Sequence, residues 1–266
     1  MVRIFFGCHL VLLLLLTLIG HAQLSIIPDS AQTKITLNDG SGDSLFFGTR
    51  NMRMVLKNIL YRGGANNFHL KPIDPKKYNQ NPLTLSAIDH LHQAGFEKAV
   101  YLYEKNFSTL YPNNRLDSLK RKGFIYECRP KWEYAEIQEF HKELYKKIMH
   151  PPYQPIYIHC WNGWHQSGLV SAVTLMQFCD LNPYQALAYW EENTDQNHKG
   201  FSAVKKKILL FEKNPNLLIP EETKKQICPC LSKKVMTAER TEEMILLEKE
   251  GNKGAEEFME KKASPK

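Results

Sequence analysis

The sequence predicts an α/β fold, a three-layer sandwich in which helices flank a mostly parallel central sheet. Short apolar runs alternate with amphipathic helical segments, an order typical of βα units. With 266 residues and 43% apolar content, the chain can bury one sizeable core. A glycine-containing loop also joins a predicted strand to a predicted helix, and such sheets bind ligands at the carboxyl ends of their strands.

Residues 1–22 are predicted to be a signal peptide. Arg3 gives a positive start, Ile4 to Ile19 is almost unbroken apolar sequence, and Gly20-His21-Ala22 offers small residues for cleavage. A retained membrane anchor is the alternative, but an apolar stretch of ~16 residues is marginal for spanning a bilayer. We therefore expect an exported protein, periplasmic or secreted, with no stable membrane span after cleavage.

Residues 23–58 are predicted to form an N-terminal extension with a small hairpin. Ile35 to Leu37 and Leu45 to Phe47 flank a run of Asn, Asp, Gly and Ser, which are turn-forming residues. The main domain is predicted over residues 59–231.

The first half of this domain contains signals for two helices and two strands. Capping residues, glycines and apolar periodicity set the boundaries. In chain order we predict a surface loop over Asn66 to Pro82, a helix capped by Thr84 or Ser86 and ended by Gly95, a strand over Ala99 to Tyr103, a helix over Asn114 to Lys122 ended by Gly123, and a strand over Phe124 to Tyr126.

The second half of the domain is mainly helical. Apolar residues recur every three or four positions in its first segment, and Asn182-Pro183 is a typical helix start. We predict a helix over Glu136 to Met149 ended by Pro151, a strand over Ile156 to His159, and helices over Leu169 to Cys179, from Pro183 onward, and over Phe201 to Phe211.

Residues 232–266 are predicted to be a charged tail, helical or disordered. Lys233 to Lys266 contains eight basic and eight acidic residues, a balance typical of a solvated segment and not of a second domain.

The net charge of +7 does not indicate nucleic acid as a partner, because no basic helix concentrates it. A basic surface favours anionic ligands through long-range attraction.

Five of the six cysteines lie beyond the predicted leader, and an exported protein meets oxidising conditions. If Cys160 is the free thiol, the other four could form two disulfides in three possible pairings. Equally, Cys179 could be a buried small apolar residue. The pair Cys228 and Cys230 is a weak metal signal, and no metal or cofactor is expected.

The run from His159 to Gly168 is the most informative motif. Cys160 follows a β-branched strand, Gly163 lets the loop curl, and Gly168 allows the helix to begin close to the strand. A ring of backbone N–H groups at a helix N-terminus both favours the thiolate and binds phosphate oxygens.

This run resembles the signature of the protein tyrosine phosphatase superfamily, most closely its dual-specificity branch: His-Cys, five residues with glycine third, Arg, Ser or Thr, then Gly. The stretch from Leu60 to Gly64, which contains Arg62, resembles the Tyr-Arg-small-small opening of many such domains. The resemblance implies a cysteine-phosphatase-like fold. It also implies that Cys160 attacks phosphorus, that Ser167 eases departure of the thiolate, and that His159 positions the loop.

Two positions depart from that signature. Gln166 stands where the superfamily has an arginine, so one neutral amide replaces a charged bidentate fork. The superfamily's general acid is usually an aspartate, but Glu133 is the better local carboxylate here and Glu127 the weaker one; an ordinary surface glutamate is the alternative. An unmodified phosphatase activity is therefore not expected.

Several neighbours are candidate ligand contacts. The loop contributes Trp161, Asn162, Gly163, Trp164, His165, Gln166 and Gly168, and the stretch from Leu60 to Gly64 contributes Arg62. The two indoles either wall a pocket or anchor the loop to the core.

Cations near the loop offer a replacement for the missing arginine. A protonated His165, or Arg62 or Arg129 from elsewhere, could supply positive charge, while packing or structural hydrogen bonds are the alternative for each. Asp195 to Asn197 either orients water or forms an ordinary turn.

Three functions follow from the sequence. The first is an exported protein that binds a phosphorylated or anionic small molecule, or a phosphoprotein, and hydrolyses it slowly through Cys160. The second is a pseudophosphatase that binds without turnover. The third is a thiol redox or sulfur-transfer protein.

Overall fold

The computed structural model describes residues 29–66, 82–103, 107, 118–121, 123–130 and 132–263. The predicted signal peptide and most of the predicted loop after Asn66 lie outside the described residues. Among the helices that are described, none is both long enough and apolar enough to cross a membrane.

Six strands form one sheet in the described part of the chain: β1 Thr49–Leu56, β2 Leu60–Ala65, β3 Lys98–Tyr101, β4 Ser118–Arg121, β5 Phe124–Cys128 and β6 Ile156–Cys160. Their order across the sheet is β1-β2-β6-β3-β5-β4. The four inner strands are parallel, and β1 and β4 pair antiparallel at the edges. The predicted mostly parallel sheet is therefore confirmed.

Helices cover both faces of this sheet. In the described residues they are α1 Leu85–Gln93, α2 Tyr134–Met149, α3 Gln166–Cys179, α4 Pro183–Glu192, α5 Ser202–Leu209, α6 Glu221–Ile227, α7 Lys233–Met236 and α8 Glu242–Ala263. Buried side chains of α1 belong to one core, and those of α2 to α8 belong to a larger core. Side chains alternate along β6, so that Ile158 and Cys160 join the larger core and Tyr157 the smaller. The predicted three-layer sandwich is confirmed.

Local capping explains two of the helix starts. The Thr84 side chain accepts the Ala87 N–H at the start of α1, and Gly95 with φ +88° follows its end. At α4, Asn182 and Gln185 form a capping box with Pro183 in the first turn. Both starts agree with the sequence prediction.

The prediction of a helix over Asn114 to Lys122 is wrong for the residues of this range that the structure describes. Ser118–Arg121 is strand β4, and it pairs antiparallel with β5. Gly123, with φ +88°, lies in the connection between these two strands. Charged side chains fit a solvated helix and a solvated edge strand equally well, so pairing with β5 decides the outcome.

The predicted N-terminal extension contributes to the sheet, because β1 lies within residues 23–58. The turn predicted after Leu37 is present and is closed by a bridge between Thr36 and Gly42. The second hairpin strand is absent: Ser44–Phe46 is a short 3-10 helix, which the Asp43 side chain caps.

One disulfide joins the end of α3 to the end of α6. It links Cys179 to Cys228, whose Cα atoms lie 5.7 Å apart. Cys128, Cys160 and Cys230 are thiols that take part in no disulfide among the described residues. Of the two disulfides that the sequence allows, the described residues contain one.

The C-terminal segment packs against the domain. Val235 on α7 and Met244 and Leu247 on α8 are buried in the larger core. Lys205 on α5 pairs with Glu243 at 2.7 Å. This segment therefore covers α5 as part of the folded body.

Candidate active site

The turn between β6 and α3, called here the Cys160 loop (residues 160–168), lies at the centre of the sheet. β6 has β2 and β3 as neighbours, so Cys160 ends an interior parallel strand. At the start of α3, the Leu169 N–H donates to the His165 carbonyl at 2.8 Å. The N–H groups of residues 166–168 therefore lie at the N-terminus without a partner one turn back, at the positive end of the helix dipole. This arrangement favours an anion close to the cysteine.

Cys160 is almost buried, with 5% of its surface exposed. Its Sγ lies 3.4 Å from Ser167 Oγ, and Ser167 Oγ also donates to the Gly63 carbonyl at 3.2 Å. The hydroxyl has one proton, which can go to the carbonyl or to the sulfur. Ser167 is thus placed to donate to a thiolate when one forms, the position that its expected role requires.

Glycines allow the loop to lie directly on the backbone of β2. Gly163 has φ +80°, and a Cβ atom there would be 2.6 Å from the Gly63 carbonyl carbon. A Cβ on Gly64 would be 2.5 Å from the Trp161 carbonyl oxygen. Gly168 instead permits close packing of α3 against α4, because its Cβ would be 2.7 Å from the Trp190 side chain. These contacts hold the loop at the edge of the strand that delivers Arg62.

His159 is part of a buried hydrogen-bond chain. Its Nδ1–H donates to the Cys160 carbonyl at 3.1 Å, so Nε2 accepts from the Tyr126 hydroxyl at 2.8 Å. Tyr126 in turn accepts the Leu83 N–H. Burial lowers the His159 pKa to about 3, which keeps the ring neutral. His159 therefore positions the backbone of Cys160 and does not supply a charge.

The two loop indoles are anchored by neighbouring side chains. Trp164 Nε1–H donates to Asp195 at 3.0 Å. The edge of Trp161 packs against Tyr103 with ring centroids 5.9 Å apart. Asp195 also pairs with Lys34 at 2.8 Å. The polar segment that begins at Asp195 thus holds the loop.

Asp195 remains ionised despite partial burial. Burial raises its pKa, but hydrogen bonds from Lys34 and Asn38, together with the charge of Arg53, lower the pKa by more. The Asp195 carboxylate, in the turn after α4, therefore forms an ion pair with Lys34 of the N-terminal segment.

Gln166 occupies the first position of α3. It is half-buried, and its side chain makes no hydrogen bond with the described residues. The neighbouring His165 stacks on Phe201 at 3.6 Å and its Nε2–H donates to the Asn197 carbonyl. Burial lowers the His165 pKa, the hydrogen bond to the Asn197 carbonyl raises it, and the positive charge of Arg62 lowers it further. A protonated His165 is therefore disfavoured, and the ring packs against the helix layer.

Both candidate general acids form ion pairs with basic side chains. Glu133 is exposed and pairs with Lys207 at 2.8 Å. Glu127 pairs with Lys98 at 3.1 Å and with Arg129 at 2.6 Å. The described contacts thus place Glu133 in a surface ion pair, and they commit Arg129 to carboxylates.

Arg62 is fully buried behind the loop. Its Nη2 donates to the Gly163 carbonyl and, at 3.2 Å, to the Asn193 carbonyl. The guanidinium therefore lies on the buried side of the loop and not in its mouth.

The sequence reasoning missed a second support on β1. Asn51, which has φ +51°, donates from Nδ2 to the Asn162 carbonyl at 3.4 Å and to the Gly163 carbonyl at 3.5 Å. Arg53 donates to the Asn51 side chain and pairs with Asp195 at 3.5 Å. The available signal was a cluster of polar and charged residues, Arg50, Asn51 and Arg53, directly before the apolar run that ends β1.

No protein-family model matches this sequence, and no curated protein matches it. Among solved structures, the chain is similar to one described as the Siw14 catalytic core, with 14% sequence identity and a TM-score of 0.36. That match covers 66% of this chain and 88% of the other. The function is therefore inferred from the Cys160 loop itself.

Proposed function

We propose that this protein is an exported, cysteine-phosphatase-like hydrolase that binds a phosphorylated or otherwise anionic ligand in the Cys160 loop. The ligand is a small molecule or a phosphoprotein. The observation that carries the proposal is the 3.4 Å contact of Cys160 Sγ with Ser167 Oγ beside the free N–H groups that begin α3. The proposed nucleophile Cys160, the Ser167 hydroxyl that can donate to its thiolate, and the N–H groups that can bind an anion lie next to one another.

The reaction has two displacements. The Cys160 thiolate attacks phosphorus, a bond from sulfur to phosphorus forms, and the bond to the leaving oxygen breaks. Water then attacks the phosphorus, the bond from sulfur to phosphorus breaks, phosphate leaves and the proton of the water passes to solvent; the Ser167 hydroxyl stabilises the departing thiolate. Both steps develop charge on the phosphoryl oxygens, which the N–H groups of residues 166–168 are placed to bind.

Turnover is expected to be slow. Gln166 supplies no charge, and the loss of one preorganised donor typically costs about 2.7 to 4 kcal/mol of transition-state stabilisation. Glu133, held by Lys207, gives little help in protonating a leaving oxygen. Aryl phosphates, whose leaving groups are acidic, should therefore be hydrolysed faster than alkyl phosphates.

The test is hydrolysis of p-nitrophenyl phosphate by the mature chain. Cys160→Ser should abolish turnover, whereas Cys230→Ser, an exposed thiol elsewhere on the chain, should retain the wild-type rate. Equal turnover in the wild type and Cys160→Ser would refute the hydrolase proposal.

Binding without turnover is the second candidate. The Gln166 amide, which is neutral and makes no hydrogen bond with the described residues, favours it. It predicts that orthovanadate protects Cys160 from alkylation although the wild type shows no hydrolysis. Rapid mixed-disulfide formation at Cys160, with neither hydrolysis nor oxyanion protection, would instead favour thiol redox chemistry.

A further inference from the structure

Arg62 is an unusual buried charge. None of its surface is exposed, and its Nε and Nη1 atoms have no hydrogen-bond partner among the described residues. The two bonds that Nη2 makes are to neutral backbone carbonyls, those of Gly163 and Asn193. Arginine does not deprotonate in proteins, so a full positive charge lies under the Cys160 loop.

No carboxylate neutralises this charge within the described part of the chain. Asp195 is the acid in this region, and it is shared by Lys34, Arg53 and Trp164. Arg53 itself responds to the excess charge: burial, and then the charge of Arg62, lower its pKa to about 10. Burying a charge without a counter-ion costs several kcal/mol in a protein interior.

The sheet register places Arg62 on the same face as the cysteine. Arg62 pairs with Ile158 across β2 and β6, and Cys160 lies two residues further along β6 on that face. Diagonal neighbours of this kind lie within reach of a long side chain.

We infer that Arg62 is the cationic group of the anion site, acting from beneath the Cys160 loop in place of the arginine that Gln166 replaces. This inference rests on the proposed function. Arg62 is a positioning and electrostatic residue: it holds the Gly163 carbonyl and favours a thiolate and a tetrahedral oxyanion above it, without touching the ligand. The ligand class is accordingly a compact oxyanion such as phosphate, and not a neutral electrophile.

Other charged or titratable side chains lie around Arg62 and Cys160, and the Arg62 variants do not replace any of them. They are Arg50 and Arg53 from β1, Tyr101 from β3, Tyr157 and His159 from β6, His165 from the loop and Asp195 after α4.

The experiment measures alkylation of Cys160 by iodoacetamide against pH, with and without orthovanadate. In Arg62→Met the pH profile of alkylation should move to higher pH, as expected when a nearby opposite charge is removed. Vanadate protection should weaken by about tenfold or more. Arg62→Lys, which keeps a charge, should restore part of both effects. If Arg62→Met does not fold, Arg62→Gln carries the same test.

The pH profile and vanadate protection separate this role from a structural one. Arg62→Met removes a buried charge but also leaves the Gly163 and Asn193 carbonyls without this donor, so the midpoint of thermal unfolding does not by itself distinguish the two roles. A purely structural Arg62 would give a lower midpoint of unfolding with an unchanged pH profile and unchanged protection, and that result would overturn the inference. Absence of vanadate protection in the wild type would instead count against the proposed function.

Discussion

Under the proposed function, Gln166 is the residue that most limits catalysis at the Cys160 loop. It lies at the first position of α3, half-buried, with an amide that makes no hydrogen bond to the described residues. An arginine at this position would present two parallel donors and a permanent charge to phosphoryl oxygens. Because the backbone N–H groups and Ser167 are already in place, the side chain at position 166 should control the rate more than the fold.

Gln166→Arg should therefore increase kcat/KM for p-nitrophenyl phosphate by about 100- to 1000-fold, the inverse of losing a preorganised donor. Gln166→Lys is the matched control, because it adds charge without the planar fork and should gain less. A folded Gln166→Arg protein with wild-type kcat/KM would show that the loop does not direct this side chain at the substrate.

At the scale of elements, the site depends on how closely the Cys160 loop approaches β2. The bridge between Gly64 and Asn162, together with the bonds from Asn51, ties the loop to the first two strands. A side chain at Gly163 would meet the backbone of Gly63. The Cys160 loop thus packs directly against the hairpin formed by β1 and β2.

Gly163→Ala tests this contact, and Gly123→Ala is its matched control. Both glycines have positive φ, so each substitution should cost about 1 to 2 kcal/mol of stability from backbone strain. A Cβ at Gly123 meets nothing within 4 Å, whereas at Gly163 it meets backbone, which should add about 1 to 3 kcal/mol. Urea unfolding measures the difference.

Vanadate protection of Cys160 should also be lost in Gly163→Ala alone. Equal stability and equal protection in the two variants would contradict the close docking of the loop.

The sequence predicted the elements whose signals are local. The β6 strand, the loop glycines and the caps of α1 and α4 are each read from a few adjacent residues. β1 and β4 were missed because both contain several polar and charged residues without the alternation of a strand, and they become strands only through pairing with β2 and β5. The burial of Arg62 and the pairing of Asp195 with Trp164 depend on contacts between distant segments, which spacing along the chain does not encode.

At the scale of the whole molecule, a covalent link joins the helix that begins at the site to the C-terminal part of the chain. The Cys179 to Cys228 disulfide closes a span of 49 residues, and α7 and α8 pack beyond it. In the chain-entropy account, a loop of this length contributes about 4 kcal/mol by constraining the unfolded state.

Cys228→Ser should lower the free energy of unfolding by about 2 to 4 kcal/mol. Cys230→Ser, which removes an exposed free thiol two residues away, should leave the free energy nearly unchanged. Denaturant titration of both variants under oxidising conditions makes the comparison. Equal losses in the two variants would show that the disulfide is not what stabilises this segment.

Two buried histidines make stability depend on pH. Burial lowers the pKa values of His141 and His159 to about 3, below the usual value near 6.5 of an unfolded chain. The unfolded state therefore binds more protons, and stability falls as pH decreases through the unfolded value. Each histidine should contribute up to about 1.4 kcal/mol per pH unit between about pH 6 and pH 4.5.

His141→Gln should reduce this slope by up to about 1.4 kcal/mol per pH unit, because it removes one of the buried rings and leaves His159 in place; His141 contacts Thr174 of α3 and not the Cys160 loop. Urea unfolding at several pH values measures the slope. An unchanged slope in His141→Gln would contradict the assignment of the pH dependence to these two rings.

The most direct test of the account is protection of individual cysteines from iodoacetamide by orthovanadate, followed by mass spectrometry of the peptides. Cys128 and Cys230 are internal controls, because neither belongs to the Cys160 loop. We predict that vanadate slows alkylation of Cys160 alone. Alkylation of Cys160 at the same rate with and without vanadate would contradict an oxyanion site at this sulfur.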